Sequence, residues 1–333
     1  MAAPEPSLQQ VQAQVRDLEM QAAAASERAG GAQRRLSTIS ARIDSVGKRA
    51  AREQAAFGVA SETIQDMARN AYMSGGLDST LQILLAEDPA AFLNQASVVT
   101  QLQQRQVSEI RRMQTTGLRV AQTQAELAGQ RKIAQDIRNE MAAAQSESKS
   151  RLSQAQNVLA GLQLEDKRRL AQIARNKRAQ DLAIARSLQK EQDSRDGQDA
   201  SSNAPNNGGV TGSRRAQAAV KYALSQVGDP YSFSANPPIS WDCSKLTTAA
   251  WRQSGVGLTP LSYTQWDQTK RVPVSDIRPG DLVFYFGSGA HHVAMYIGGG
   301  KMVSASNPSD GVEIIDFLGP WYRERFSGVG RVI

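Results

Sequence analysis

Small and apolar side chains recur at alternating intervals of three and four residues through the first fifty residues of this chain. Arg, Gln, Glu and Ser fill most of the intervals. The pattern amounts to about six heptads of a and d positions, and it predicts a long helix that buries one seam against a second helix. The positions are Leu8, Val11, Val15, Leu18, Ala22, Ala25, Ala29, Ala32, Leu36, Ile39, Ile43, Val46 and Ala50.

A second long helical stretch is predicted from about residue 97 to residue 190, with a looser apolar repeat. Two long helices in one chain pair most simply as an antiparallel hairpin. Residues 5–192 are therefore predicted to form a long antiparallel α-helical coiled coil. The repeat positions of the second stretch are Leu102, Ile110, Met113, Val120, Leu127, Ile137, Met141, Leu152, Leu159, Leu162, Ile173 and Leu188.

Residues 58–95, between the two stretches, are predicted to form a helical tip. Gly75 and Gly76 interrupt the first helix, and Pro89 suits the first position of the next one. The apolar side chains of the tip either cap the end of the coiled coil or dock a partner, because a helical tip has little core to cover them. The candidate docking residues are Tyr72, Leu77, Leu81, Leu84, Leu85 and Phe92.

The aromatic residues are concentrated in the last third of the chain. Of the 18 Phe, Trp and Tyr residues, 15 follow residue 200, as do both histidines, the single cysteine and nine of the 12 prolines. Because large aromatic side chains build compact cores, residues 213–333 are predicted to form a globular domain. The Gly-, Ser- and Asn-rich residues 193–212 are predicted to be a flexible linker before it.

Charge and hydropathy narrow the class of protein. The net charge of +7 is spread along the chain without a basic run, which argues against nucleic-acid binding and favours mild attraction to an anionic polymer. No run of 18 apolar residues occurs. The chain begins with small residues followed by Pro and Glu, as after a cleaved signal peptide, so we expect a secreted or cell-envelope protein. The single cysteine leaves one thiol for chemistry.

Cys243 is the candidate nucleophile. Apolar residues at helical spacing follow it, so Asp242 or Cys243 begins a helix, whose N-terminus favours a thiolate. Alternating segments at residues 282–286, 292–297, 301–305, 312–317 and 328–333 predict an antiparallel sheet. In a strand His291 and His292 point to opposite faces, so at most one of them meets Cys243. A cysteine at a helix start facing a strand histidine is the papain arrangement.

Four ordered motifs resemble the NlpC/p60 family of cell-wall peptidases. They are Asp-Cys-Ser at residues 242–244, Pro-Gly-Asp-Leu-Val-Phe at 279–284, His-Val-Ala-Met-Tyr-Ile-Gly at 292–298, and a tyrosine before the nucleophile, Tyr231. The resemblance implies a papain-like α+β domain in which Cys243 is the nucleophile, His292 its base, and Asp242, Ser244 and Tyr231 belong to the site. It also implies cleavage of peptidoglycan stem peptides between D-glutamate and the diamino acid, without a cofactor or metal.

Three features depart from the family pattern. Lys245 stands where the nucleophile motif usually has Gly, and Ser234-Ala235 replace a Gly-Gly pair. The third catalytic position, twelve residues after His292, is Ser304 instead of His, Glu, Gln or Asn. A serine accepts from an imidazole but carries no charge; Asn307 or a water is the alternative orienting group. The competing function is a non-enzymatic cell-wall-binding adaptor with a degenerate peptidase domain.

The helical region has a resemblance of its own. Residues 71–76 (Ala-Tyr-Met-Ser-Gly-Gly), 81–85 (Leu-Gln-Ile-Leu-Leu) and 92–93 (Phe-Leu) are similar to the coiled coils of PcsB- and EnvC-type hydrolase regulators. That resemblance implies docking on the extracellular loop of an FtsEX-type division transporter, and hence a role in cell division and cell separation. With both regions combined, the chain resembles the RipC-type endopeptidases, and the coiled coil is expected to gate the peptidase.

Overall fold

The structure is a computed structural model that describes residues 7–73, 89–199, 208–287 and 291–333. Two long helices come first, α1 (Leu8–Met73) and α2 (Pro89–Ala160). They are followed by α3 (Leu164–Asp199), α4 (Gly208–Ser225), α5 (Cys243–Arg252) and α6 (Ser262–Gln268). The chain divides into two compact units, Met1–Ala32 with Glu140–Ile333, and Gln33–Asn139.

Within the first unit, the beginning of α1 runs antiparallel to the end of α2. Val11 and Val15 share an apolar cluster with Ala155, while the Ser148 hydroxyl donates to the Ala22 carbonyl oxygen at 2.9 Å. Within the second unit, Arg49 pairs with Glu126, the Thr123 hydroxyl donates to Glu53 at 2.5 Å, and the Phe57 ring lies against Gly117. The predicted antiparallel helical pairing is confirmed.

Burial follows the heptad positions of α1 closely. Each of the thirteen predicted seam positions is buried or half-buried. The looser repeat of the second stretch predicts burial less well, because two of its positions, Ile110 and Ile173, are exposed. That stretch is also not one helix: α2 ends at Ala160, where Lys167 Nζ donates to the Ala160 carbonyl oxygen, and α3 begins at Leu164 with Glu165 and Asp166 in its first turn. A single helix over residues 97–190 was a wrong prediction.

The predicted linker is shorter in the structure than in the sequence analysis. Helix α3 continues to Asp199 and α4 begins at Gly208, so both ends of the 193–212 segment are helical. Packing overrides the loop-like composition here: Lys221 of α4 pairs with Asp193 of α3. Helix α3 also contacts the sheet, since Lys177 Nζ lies 2.5 Å from Glu313 and 2.8 Å from Asp181. The C-terminal domain is therefore packed onto α3.

The C-terminal domain is built on one antiparallel six-stranded sheet with the order β1-β6-β2-β3-β4-β5. Its strands are β1 (Lys270–Val272), β2 (Leu282–Tyr285), β3 (His292–Gly298), β4 (Lys301–Asn307), β5 (Gly311–Asp316) and β6 (Phe326–Arg331). All five predicted strands are present within a few residues. The strand β1, helix α6 and the short α7 (Pro320–Arg323) were not predicted, because each is too short to show a period.

Most of the predicted helical tip lies outside the described residues. This holds for residues 74–88, which include Leu77, Leu81, Leu84 and Leu85, and for the side chain of Phe92. Tyr72, at the end of α1, is described and is exposed. Among the described helices, none contains a segment both long and apolar enough to cross a membrane.

Gly280 explains why the Pro-Gly-Asp-Leu motif contains a glycine. Its φ is +96°, and a Cβ there would lie 2.7 Å from the Cβ of Ala216 in α4. We predict that Gly280→Ala lowers the free energy of unfolding of the C-terminal domain by about 2–3 kcal/mol, from backbone strain plus the clash. Tryptophan fluorescence during denaturation measures this, because all four tryptophans follow residue 240.

Gly255 is the matched control for this change. Its φ is +77°, but nothing lies within 4 Å of its added Cβ, so Gly255→Ala carries the strain without the clash. We expect it to cost about 1–2 kcal/mol. An equal loss in both variants would show that the contact with α4 contributes nothing.

Candidate active site

Cys243 is the first residue of α5, and the side chain of Asp242 fixes that helix start. Asp242 is the N-cap: its Oδ1 accepts from the Lys245 backbone N–H at 2.7 Å and from the Ser244 hydroxyl at 3.0 Å. A carboxylate cap satisfies otherwise unpaired N–H groups and favours the helix dipole. The Lys245 ammonium donates to the Ala235 carbonyl oxygen at 2.8 Å, so the lysine that departs from the family motif anchors the preceding loop.

His292 is fully buried at the start of β3, and the next residue reaches the cysteine. Its Nε2 lies 2.8 Å from the Ser304 hydroxyl of β4, and the Ser306 hydroxyl donates to Ser304 at 3.0 Å. The backbone of Val293 lies within hydrogen-bonding reach of the Cys243 sulfur. The other ring nitrogen, Nδ1, is buried and has no hydrogen-bond partner among the described residues. Nδ1 is therefore the ring nitrogen that is available to accept a proton from a thiol.

Aromatic side chains enclose this pair. The ring centroids of Tyr285 and Tyr322 lie 6.0 Å and 6.3 Å from that of His292. Burial raises the pKa of the Tyr231 phenol well above its ordinary value, and the nearby Cys243 would raise it further as a thiolate. Tyr231 is held by bridging to Trp241, whose indole N–H donates to Asp229 at 3.0 Å. The sequence placed both Tyr231 and His292 at the nucleophile, and the structure brings them there.

A glutamate from helix α1 covers the cysteine. Glu27 Oε1 lies within hydrogen-bonding distance of the Ser244 hydroxyl oxygen, at 2.7 Å, and 3.9 Å from the Cys243 sulfur. Its Oε2 accepts from the backbone N–H of Ser262 at 2.9 Å and lies 3.2 Å from the Ser262 hydroxyl. One carboxyl group thus joins the start of α5 to the start of α6, directly beside the nucleophile.

The same stretch of α1 contacts the C-terminal domain over several turns. Asp17 accepts from the Trp321 indole N–H at 3.1 Å, and Glu19 accepts from the Ser309 hydroxyl at 2.7 Å. At Gly31 the helix comes so close that a Cβ would lie 1.7 Å from the Tyr263 hydroxyl oxygen. The segment 16–31 of α1, called the covering segment below, lies over the site. It leaves the sulfur 1% exposed and His292 wholly buried.

Comparison with known proteins identifies the domain that carries this site. A family model described as the NlpC/P60 family matches residues 228–331. This C-terminal region is an NlpC/P60 domain. A protein of Listeria grayi named probable endopeptidase p60 is 37% identical over 131 residues, which make up 39% of this chain and 25% of that protein. The chain thus spans about a quarter of that relative's length.

Two further comparisons each cover about a third of this chain. A probable endopeptidase of Mycobacterium tuberculosis is 37% identical over 110 residues, covering 32% of this chain and 28% of that protein. The crystal structure of an NlpC/P60 family protein from Bacillus cereus is 30% identical, with a TM-score of 0.34, and the match covers 35% of this chain and 40% of that one. The predicted family resemblance of the C-terminal region is confirmed.

The covering segment reverses the electrostatics expected from the helix start of the NlpC/P60 domain. We predicted that the N-terminus of α5 favours a thiolate. Instead, burial raises the pKa of Cys243 well above its ordinary value, and the nearby carboxyl groups of Glu27 and Asp242 raise it further. Burial also lowers the pKa of His292 to about 3. With the covering segment over the site, the closed arrangement below, the thiol and the imidazole are both neutral, so the pair is unreactive.

Three residues of the site were missed by the sequence analysis: Glu27, Ser262 and Gln265. Fully buried Gln265 of α6 donates to the Ser244 carbonyl oxygen at 2.9 Å, which locks α6 beneath the nucleophile. Hydropathy gave no signal for Glu27, because the buried stripe that contains it includes two glutamates, Glu19 and Glu27. Residues 19, 20, 23, 27 and 31 repeat at intervals of one, three and four residues, forming a second stripe beside the heptad seam, and all five are buried.

The oxygen and sulfur atoms of Glu27, Asp242 and Cys243 that could hold a metal all lie within 4.8 Å of one another. Both Glu27 oxygens and Asp242 Oδ1 are already engaged in hydrogen bonds with Ser244, Ser262 and the Lys245 backbone N–H. The set therefore fits a hydrogen-bonded closure better than a metal centre.

The question of the third position has a geometric answer. Ser304 contacts the imidazole, whereas Asn307 accepts from the backbone N–H groups of Ser309 and Asp310 and organises the turn before β5. His291 precedes β3, is half-buried, and lies close enough to Arg28 of α1 for its positive charge to lower the pKa of the His291 imidazole further after burial. Of the predicted site residues, Cys243, His292, Ser304, Tyr231, Asp242 and Ser244 come together.

Gly31 provides a test of the covering segment. We predict that Gly31→Leu, which drives a side chain into Tyr263, displaces the segment and raises the alkylation rate of Cys243 by iodoacetamide at least tenfold. Gly47→Leu is the matched control, because that helical glycine has nothing within 4 Å of its added Cβ. Equal alkylation rates in the two variants would show that the segment does not restrict access to the sulfur.

Proposed function

We propose that this protein is a secreted cysteine endopeptidase that cuts the stem peptides of peptidoglycan. The observation that carries the proposal is the placement of Cys243, at the Asp242-capped start of α5, next to the strand that begins with His292, inside an NlpC/P60 domain. The resemblance drawn from the sequence motifs supports the bond between D-glutamate and the diamino acid as the one cleaved. The net charge of +7 suits an anionic cell-wall polymer.

The geometry supports a two-step acyl transfer. His292 Nδ1 takes the thiol proton, and the Cys243 thiolate attacks the carbonyl carbon of the scissile amide. Backbone N–H groups at the start of α5 are placed to stabilise the negative oxygen of the tetrahedral intermediate, which collapses as the imidazolium protonates the leaving amine. In the second step, His292 takes a proton from water, the hydroxide attacks the thioester, and the thiol leaves with its proton restored.

Ser304 serves as the orienting group in this proposal. With its proton on Nε2, the imidazole donates to Ser304 and keeps Nδ1 free for the cysteine. The Ser306 hydroxyl, 3.4 Å from that of Tyr322, extends the chain of hydroxyl groups behind Ser304. Unlike a carboxylate, this series of hydroxyl groups carries no negative charge that could stabilise an imidazolium. We therefore expect a weaker base than a charged third residue would give.

Gating by the helical region is the second element of the proposal. Chemistry requires the sulfur to meet a substrate, and the covering segment fills that place with Glu27. Activity then depends on the segment leaving the NlpC/P60 domain. An FtsEX-type membrane partner that grips the coiled coil during cell division shifts this equilibrium only by the difference between its affinities for the closed and open forms.

Exposed apolar side chains of the paired helices support such a partner. Tyr72 and Met73 at the end of α1, and Val107 and Ile110 of α2, are all exposed. Apolar side chains that stay in water on paired helices commonly belong to interaction surfaces. We expect Leu81→Asp with Leu84→Asp to abolish binding to the partner's extracellular loop in a pull-down, while Cys243 alkylation in the absence of partner stays unchanged.

A non-enzymatic adaptor remains the competing function, and the uncharged Ser304 is the observation that favours it. An adaptor binds peptidoglycan or recruits another hydrolase, and it needs no reactive thiol. The two functions differ in whether an opened chain turns over substrate.

Catalysis is tested in the chain opened by Gly31→Leu. We predict that adding Cys243→Ala or His292→Ala lowers the cleavage rate of purified muropeptides by at least 10³-fold, because each removes a reacting group. Mass spectrometry of the products measures this and identifies the bond cut. His291→Ala should keep the parent rate, since adjacent residues at a strand point to opposite faces and His292 is the one bonded to Ser304. Absence of cleavage by the opened parent chain would favour the adaptor.

A further inference from the structure

Glu27 enters the domain without a basic partner. Among the described residues, no lysine, arginine or histidine forms an ion pair with it. Its neighbour Arg28 points elsewhere, to Glu147 of α2 at 2.8 Å, as adjacent residues on a helix must. The nearest charged group is another acid, Asp242, whose own ammonium partner is Lys245 at 3.4 Å. A carboxylate buried in this way would be poorly compensated.

Glu19 repeats the situation two turns earlier on α1. It is 3% exposed, and its Oε1 accepts from the Ser309 hydroxyl at 2.7 Å. Its Oε2 is buried with no hydrogen-bond partner among the described residues. The closest charges are the acid Asp310, which opposes ionisation, and Arg16 on the same helix, which favours it less strongly. A buried oxygen without a partner costs an ionised carboxylate far more free energy than a neutral carboxylic acid.

We propose that Glu27 and Glu19 dock on the NlpC/P60 domain as neutral carboxylic acids, which makes the covering segment a proton-dependent latch. This inference concerns the regulation of the site and rests on the proposed function for its biological meaning. Protonated carboxyl groups bury at a far lower cost than ionised ones. Deprotonation therefore favours the open form, in which both groups return to water.

The groups that face the two acids support this direction. Around Glu27 these are Asp242, the Cys243 thiol, the Ser244 hydroxyl, Ser262 and, further away, the Tyr231 phenol. Burial, followed by the charge of Asp242, raises the pKa of Glu27 to about 7. Around Glu19 these are Ser309, Asp310, Arg16 and Tyr231, and burial raises its pKa to about 7 as well.

The sign of the pH dependence follows from these pKa values. Below the ordinary glutamate pKa of 4.5 both forms are protonated, so the latch is at full strength. Between 4.5 and about 7 the open form has lost its proton and the closed form keeps it, so closure weakens as the pH rises; above about 7 it levels off. From pH 5 to pH 7.5 each carboxyl is expected to weaken closure on the order of fiftyfold.

Glutamine at position 27 mimics the protonated acid. Its carbonyl oxygen can accept from the Ser262 backbone N–H, and its amide can donate to the Ser244 hydroxyl, which in turn donates to Asp242. Glu27→Gln therefore keeps the closed contacts without an ionisable proton. Glu27→Ala removes them altogether, so the two substitutions should act in opposite directions.

The experiment measures the alkylation rate of Cys243 by iodoacetamide in the full chain from pH 5 to pH 7.5. The rate of wild type divided by that of Glu27→Gln is expected to increase by a factor on the order of fifty between pH 5 and pH 7.5. Dividing the two rates removes the titration of the open cysteine. Glu27→Ala should be alkylated at least tenfold faster than wild type at pH 5. Glu19→Gln should act like Glu27→Gln, with a similar rise.

Asp17→Asn is the matched control. Asp17 lies on the same segment and contacts the domain, but it is partly exposed and lies 3.4 Å from Arg325, so its neutralisation should leave the pH dependence unchanged. A wild-type to Glu27→Gln ratio that stays flat, or Glu27→Gln alkylated faster than wild type at pH 7.5, would show that the acid docks ionised. Glu27→Ala no faster than wild type, with unaltered circular dichroism, would show that Glu27 does not hold the segment.

Alkylation reports access to the sulfur and requires no peptidoglycan. An alkylation pattern as predicted, combined with no cleavage by opened chains, would overturn the proposed peptidase and leave the latch in place. Cleavage by opened chains with a flat alkylation ratio would do the reverse.

Discussion

The structure depends on the burial of the beginning of α1 on two faces at once. One face pairs with α2 through Val11 and Val15, and the other meets the NlpC/P60 domain through Ala23 and Glu27. Ordinary amphipathic helices bury one stripe. A second buried stripe demands small side chains where the helix approaches closely, and the Gly at position 31 supplies this at the Tyr263 contact. Glycine lowers the stability of an isolated helix. In this protein, the tertiary packing of α1 offsets that loss.

Two opposing effects act on the Cys243 sulfur. The start of α5, with its N–H groups and dipole, favours a thiolate, while burial and two neighbouring carboxyl groups favour the thiol. In the closed arrangement burial is the largest influence, and the neutral form wins. Withdrawal of the covering segment would return water to the site and remove Glu27. The helix start and His292 would then determine whether the Cys243 sulfur is a thiol or a thiolate. In the proposed function, the same residues would account for an inert closed form and a reactive open form.

Much of the site could be read from the sequence because its parts are local. Asp242 caps the helix that begins with Cys243, and the N–H group that it binds is only three residues further along the chain. His292 is placed by the alternation of side chains along β3. The heptad seam of α1 was likewise readable, since a period of 3.5 residues repeats over many turns. The helix break after Ala160 and the helical ends of the 193–212 segment were not, because composition alone does not reveal which helix ends are packed.

The sequence by itself determined that long helices precede a papain-like domain, and it singled out the candidate nucleophile and its candidate base. Only the tertiary structure decided that Glu27, 216 residues before Cys243, lies against it. The reason is physical: secondary-structure periods and capping motifs encode contacts within a few residues of one another, whereas docking one helix onto a distant domain depends on complementary shape and on the cost of burying each charge. That cost depends on the groups that surround a carboxyl, and they are brought together only in the folded chain.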